Sequence, residues 1–480
     1  MIERQSAPHP DQATPRSHLS RYSLLWIAGL AVAIVFVGRD SDRLSAPFGP
    51  SHDGFNAALY MTGGRAIVEE GLFASRFGAS SRTLSGDRVI YAHHPPLVYL
   101  ENAVALAAPG PIEIAARLPA VGSSLVVLVL LVLLLAACRL PSGPASVGLL
   151  FACATPMFLM FGAMTEPHAL GLAPMTALIL LWQQTRLGDE PPSWTFTAVA
   201  GFATLTSWQA GLCAASVAVV LLLITRRRRA GIAVLAGTMV SAILIGGWIL
   251  WSYDGNLGEF MHRAVHRVGA GDVGRVTFRQ MARQQMRYFA DLFPVGSWLV
   301  ILVAALGILD RRTQPLVAVS LGTVLGYALV FRNGAYDHNY WLYCILLPLT
   351  LSAAVVADAV ARWLSRPSWP RAAPLMLGSA LVAALGITMW QPSKEQDHRR
   401  HAADIGVQAR ALRWPRTQRY AYHMFGGSGL TDLLPWMLFY SQRQPFGVDS
   451  PQSVPIGQVL LHLDDGRLVT VVPGKQALEP

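Results

Sequence analysis

Two carboxylates far apart in the chain stand where chemistry at a membrane face would need them. Asp53, in His52-Asp53-Gly54-Phe55, follows the first apolar stretch, and Glu166, in Thr165-Glu166-Pro167-His168, separates two later ones. If those stretches cross a bilayer, both acids emerge on the same side. One could act as a general base toward an acceptor hydroxyl, which it must reach at hydrogen-bond distance. The other could orient the acceptor, hold the base, or share a divalent cation with it. Each also has a structural reading: Asp53 as the N-cap of a following helix, and Glu166 as a charged residue in a tight turn, with Pro167 opening the next helix.

Other polar residues cluster at the same ends. In His93-His94-Pro95-Pro96-Leu97 the tandem prolines hold His94 extended, so its ring projects away from the helix that follows and could donate to a phosphate oxygen. Two adjacent histidines do not make a zinc site without further ligands. Tyr336-Asp337-His338-Asn339-Tyr340-Trp341 opens a later apolar stretch; its aromatics suit an interfacial belt, while Asp337, His338 and Tyr340 could bind phosphate or position an acceptor. Arg117 and His168 complete the set.

The elements that must position these residues are membrane spans. Hydrophobic residues make up 53% of the 480, charged residues 14%, and mean hydropathy is +0.40, which places the chain outside the soluble globular class. Apolar stretches lie at 22–38, 114–138, 145–161, 167–183, 194–207, 209–225, 231–252, 295–310, 314–331, 340–361 and 373–390, about eleven in all. Arg226 to Arg229, Arg311-Arg312 and Arg362, Arg366 and Arg371 fall on one side only if two spans lie between Trp194 and Thr225. Positive charge is retained in the cytoplasm, so the N-terminus is expected to be cytoplasmic and the C-terminus external. The net charge of +10 is then a topology signal and an attraction to anionic headgroups, and no nucleic-acid partner is expected. The first span has no A-x-A-like cleavage site after it and reads as a retained anchor. Cys138, Cys153, Cys213 and Cys344 all lie in or beside apolar stretches and read as packing residues.

The expected organisation is a polar cytoplasmic tail over 1–21, a transmembrane region over 22–390 and an extracytoplasmic α/β domain over 391–480. Within the transmembrane region, 39–113 and 253–294 are external loops. In the first loop Phe55, Ala58, Leu59, Gly63, Ala66, Ile67 and Glu70 recur at helical spacing and predict an interfacial helix. Leu97 to Ala108 predicts a second. The second loop carries His262, Arg263, His266, Arg267, Arg275, Arg279, Arg283 and Arg287 with few acids, either a solvated face near headgroups or a surface for a phosphate group. In the tail, helices are expected near 402–412 and 432–442, and strands at 419–424, 457–463 and 467–472.

The ordered set resembles a known superfamily. An acid after the first span, a basic residue before Pro-Pro-Leu, Ala115-Ala116-Arg117-Leu118-Pro119, Thr165-Glu166-Pro167 and His338-Asn339-Tyr340-Trp341 together resemble the protein mannosyltransferase and lipid A aminoarabinose transferase superfamily, membrane glycosyltransferases of the GT-C type. The resemblance spans about 22–390, and in the tail it is loose. It implies transfer of a sugar from a polyprenyl-phosphate donor to an extracytoplasmic lipid, glycan or protein acceptor, with inversion at the anomeric carbon. It also implies Asp53 as the base, Glu166 as the second acid and His94 near the donor phosphate, with Arg117 in a role as readily structural as catalytic; His93 and His338 are further candidates for binding the phosphate, and a bacterial inner-membrane location is expected. Asp337, Tyr340 and His168 would orient the acceptor. The superfamily often has Asp-Glu where this chain has Asp53-Gly54.

The chemistry agrees with this resemblance. Polyprenyl phosphate is a good leaving group, so a protein need only deprotonate and align the acceptor and stabilise phosphate charge. No cofactor is required beyond the divalent cation that Asp53 and Glu166 could share. Two other classes fit less closely: a flippase or transporter of lipid-linked sugars would carry ionisable residues within its spans, and an inactive lipid-sugar-binding scaffold would keep both acids as caps. Reporter fusions should place a junction at Arg229 in the cytoplasm and junctions within 253–294 outside; a cytoplasmic tail would undo the single-face arrangement.

Overall fold

A computed structural model describes residues 22–49, 51–82, 88–270, 276–293 and 296–365, with the backbone of short strands between 420 and 471. The described chain is mainly helical. Helix α1 (Ser23–Leu44) is followed by α2 (His52–Glu70), a hairpin of β1 (Ser80–Arg82) and β2 (Arg88–Ile90), α3 (Leu97–Ala105) and α4 (Ile112–Ala137). Then come α5 (Ser142–Cys153), α6 (Pro156–Phe161), α7 (Pro167–Leu187), α8 (Ser193–Thr206), α9 (Trp208–Val219) and α10 (Arg228–Ser252). The remaining helices are α11 (Gly258–Val268), α12 (Phe278–Leu292), α13 (Ser297–Gly307), α14 (Gln314–Val330), α15 (Arg332–Asp337) and α16 (Leu346–Leu364).

Each expected span up to 340–361 contains helix; 373–390 lies outside the described residues. Length separates these helices. Three helical stretches among the described residues, Ile112–Ala137, Arg228–Ser252 and Tyr343–Leu364, are long and apolar enough to cross a membrane. Ser23–Arg39, Ser142–Cys153, Trp208–Ile224 and Gln314–Val330 are apolar but shorter, so helix length does not establish a count of eleven. The break read at Ser207-Trp208 is present: Ser207 leaves the helical region and caps α9 by accepting from the Gln209 amide at 3.3 Å.

Strands run through Tyr420–Met424, Val459–Asp464 and Arg467–Val471 as the pattern predicts. With Phe446–Gly447 they form one sheet in which Tyr420–Met424 lies parallel to both Phe446–Gly447 and Val459–Asp464, while Arg467–Val471 closes an antiparallel hairpin. The two helices expected in this tail lie outside the described residues.

Small residues set the closest packing. Cys153 and Cys344 are fully buried with Leu346, Leu347 and Ala354 around the α5, α7 and α16 contacts. A Cβ on Gly148 of α5 would stand 2.5 Å from both the Ala354 Cβ and the Thr350 carbonyl oxygen of α16. In the first loop, α2 differs from the interfacial helix expected. Asn56, Ala57, Ala58, Tyr60, Met61, Gly63, Gly64 and Ala66 are all buried, because Gly63 and Gly64 let α3 close on α2 through Tyr99, Asn102 and Ala103. One face of this helix is therefore packed into the protein, and Asn56 and Tyr60 on it face other protein groups. Gly148→Val should destabilise the fold by about 1–3 kcal/mol through overpacking, read as a lowered unfolding midpoint in detergent; an unchanged midpoint would contradict the α5–α16 contact.

Candidate active site

Helix α2 begins with Ser51 as its cap, whose Oγ accepts from the Gly54 amide at 3.1 Å. Asp53 is therefore not the cap but a first-turn residue. Its Oδ2 accepts from Arg117 Nη2 at 2.8 Å and from Arg117 Nε at 3.2 Å. Arg117 also donates through Nη1 to the carbonyls of Leu44, Ala46 and Glu113 and is 2% exposed. The structure thus makes Arg117 the support of Asp53 and leaves it little surface for a phosphate. Gly54 cannot carry a side chain, since a Cβ there would collide with the Gly49 backbone. That accounts for the missing second acid of the Asp-Glu pair.

One turn further along the same helical stripe stand Asn56 and then Tyr60, at i+3 and i+7 from Asp53. Both donate to Glu166 Oε2, Asn56 Nδ2 at 3.1 Å and Tyr60 Oη at 3.3 Å. Glu166 itself precedes α7, and its other oxygen lies 2.6 Å from His168 Nδ1. Asn56 Nδ2 also reaches Tyr340 Oη at 3.4 Å, so three segments remote in sequence close around one carboxylate. The side chain of Glu166 is 2% exposed and that of Asp53 14%. The second acid is enclosed, and the first is partly exposed.

Imidazole and phenol rings line the remainder. His52 meets His338 and Tyr340 edge-on at 5.2 and 5.5 Å. Tyr340 and Trp341 pack between His168 and His338. His94 meets Tyr60 at 5.9 Å and Tyr91 at 6.1 Å, while His93 stacks on Phe260 at 6.0 Å and shares a 3.4 Å hydrogen bond with Tyr253. Asp337 is exposed at the rim, in electrostatic reach of His266 and His52.

Charge is unevenly shared among these groups. Burial, reinforced by Arg263 and Arg267, pushes His93 down to about 3. Burial and then the Arg267 charge push His94 well below the ordinary imidazole range, and burial with His52 does the same to His338. All three rings are neutral at pH 7, so they could offer single hydrogen bonds but no net charge. The cation that reaches most of these groups is Arg267 of α11, which lies in electrostatic reach of Tyr91, Tyr60, Tyr327, His94 and His338. The sequence showed Arg267 only as one of a basic run, and nothing in that run marks which arginine turns inward. Asn56 and Tyr60 did carry a signal, their shared stripe with Asp53.

Among the described residues no group of three or more His, Cys, Asp or Glu side chains is placed to hold a metal ion.

The fold has known counterparts. The structure of ArnT from Cupriavidus metallidurans bound to undecaprenyl phosphate matches with a TM-score of 0.55 and 16% identity over 90% of this chain and 86% of that one. The fold is that of the GT-C membrane glycosyltransferases. The GT-C oligosaccharyltransferase of Archaeoglobus fulgidus, in its apo form, matches with a TM-score of 0.51 and 12% identity over 93% of this chain and 66% of that one. No known family profile matches the sequence, and no curated protein matches it either. The GT-C likeness is thus carried by backbone arrangement across nearly the whole chain.

The neutral state of His93 has a thermodynamic consequence. The unfolded ring takes a proton near pH 6.5 and the folded ring only near 3, so the unfolded state binds more protons between those values and stability falls as pH falls through them. His93→Phe keeps the stack on Phe260 and removes the titration. The unfolding midpoint in detergent should fall less steeply from pH 7 to pH 4 in this variant than in the wild type, and equal slopes would refute the buried neutral state.

Proposed function

We propose that this protein is a membrane glycosyltransferase that moves a sugar from a polyprenyl-phosphate donor to a hydroxyl-bearing acceptor at the extracytoplasmic face, inverting the anomeric centre. The observation that carries this reading is the convergence of Asn56 and Tyr60, from the helical stripe that Asp53 begins, on the enclosed Glu166, with Arg267 in electrostatic reach of Tyr60 amid neutral rings. A GT-C fold shared with a protein seen bound to undecaprenyl phosphate supports the donor class.

Asp53 takes the acceptor proton. Its arginine partner fixes the direction in which the group is presented. A carboxylate suffices as the base, because the acceptor oxygen becomes acidic as its bond to the anomeric carbon forms. As that bond forms, the bond from the anomeric carbon to phosphate oxygen breaks, and the electron pair leaves with polyprenyl phosphate. Arg267 stabilises the developing phosphate charge, with His94 and His338 as hydrogen-bond partners. Glu166 holds Asn56, Tyr60 and His168 in place beside Asp53 and is a positioning residue. Tyr340 and Asp337 border the side from which an acceptor would approach.

Transfer assayed in membranes with polyprenyl-phosphate sugars tests this. Asp53→Asn should lose about 10²–10⁴-fold in rate while still binding the donor, and full retained transfer would remove Asp53 from the role of base. Arg267→Ala should weaken donor binding as well as rate, with Arg267→Lys recovering part of both. A loss in Arg267→Ala confined to rate, with donor affinity intact, would count against the phosphate role.

A further inference from the structure

Helix α12 has a charged face that the proposed reaction does not use. Thr277 and Gln280 cap it reciprocally, and its inner face is fixed by Met281, Gln285, Phe289 and Leu292, all buried. Gln285 Nε2 donates to the Ala335 carbonyl, Tyr288 Oη to the Tyr336 carbonyl at 2.9 Å, and Ser297 Oγ to the Met286 carbonyl at 2.9 Å. With that face pinned, Arg279, Arg283 and Arg287, spaced at i, i+4 and i+8, point outward along one stripe. All three are exposed, and among the described residues none makes an ion pair. Like charges at this spacing repel one another, so the stripe works against the helix that carries it. An outside partner of opposite charge would remove that cost.

The setting says what partner. The axes of α12 and α13 differ by 99°. Helix α13 is apolar, with Leu299, Ile301 and Leu302 turned outward and Trp298 77% exposed at its start, the pattern of a lipid-facing segment with an interfacial aromatic. A helix at right angles to such a segment lies along the membrane surface, and arginines on its polar face then sit at headgroup level.

We infer that α12 is a binding platform for anionic phospholipid headgroups of the bilayer that carries the protein, with Arg279, Arg283 and Arg287 as its phosphate-contacting groups. Guanidinium groups pair with phosphate in two-point geometry, and each basic residue near an anionic surface contributes about fivefold to partitioning. The platform does not depend on the proposed transfer reaction.

Binding of short-chain phosphatidylglycerol to the detergent-purified full chain, set against short-chain phosphatidylcholine and inorganic phosphate, tests it. The wild type should bind phosphatidylglycerol in preference to phosphatidylcholine and lose affinity as salt is raised. The triple variant R279Q/R283Q/R287Q should lose about tenfold or more, while R279K/R283K/R287K keeps most of the affinity. Equal binding by the glutamine variant, or equal binding of phosphatidylcholine, would overturn the inference. Displacement of the lipid by inorganic phosphate at equal concentration would do the same, since the site would then be for free phosphate. Should the triple glutamine variant fail to fold, R283Q against R283K decides on the same readout: a loss in the first alone supports the platform, and equal affinities overturn it.

Discussion

A carboxylate enclosed by protein is the constraint around which this site is built. Taking a polar group out of water costs free energy unless hydrogen bonds replace the lost hydration, and Glu166 meets that demand with Asn56, Tyr60 and His168. These partners come from α2 and from the start of α7, so the first loop is held against the helical body by the need to satisfy one acid. Thr165 adds a bond to the Ala116 carbonyl, which ties the same turn to α4 and thereby to Arg117. Asp53 and Glu166 are thus two ends of one connected scaffold.

That scaffold separates charge by function. Arg117 is spent on Asp53 and three carbonyls, His168 on Glu166, and His93, His94 and His338 are stripped of charge by burial and by the arginines near them. The result is a cluster rich in basic residue types that holds little free positive charge. In the proposed reaction this keeps the acceptor side neutral and concentrates attraction for phosphate at Arg267. A site with several protonated histidines would bind the released phosphate more tightly and give it up more slowly.

The chain's apolar stretches and the ordered motifs made the membrane class and the GT-C architecture legible, because both depend on local composition and on residue order. Asp53, Glu166, His94, His168, His338 and Tyr340 were singled out by the same residue order. Pairings across the chain were not. Nothing near Arg117 says that its guanidinium meets Asp53, and the basic run from His262 to Arg287 does not show that Arg267 turns inward while Arg279, Arg283 and Arg287 face out. Helix α2 was read from its apolar spacing, yet its polar residues carry the contacts, since glycines at 63 and 64 bring α3 close enough to cover the helix. Gly54 read as a departure from a motif, and its reason lies in the Gly49 backbone beside it.

The contact between Asn56 and Tyr340 spans 284 residues. A chain lengthening at about 5–20 residues per second makes its first partner roughly 15–60 s before the second exists. Through that interval α2 carries Asn56 and Tyr60 with their final neighbours unmade, and Glu166, when it arrives, can meet only part of its surroundings. The site therefore cannot ripen in steps along with the helices that insert one after another. It is completed late, by a segment near the far end of the helical region, and a chain halted before that segment would have both acids and no finished place for either to work.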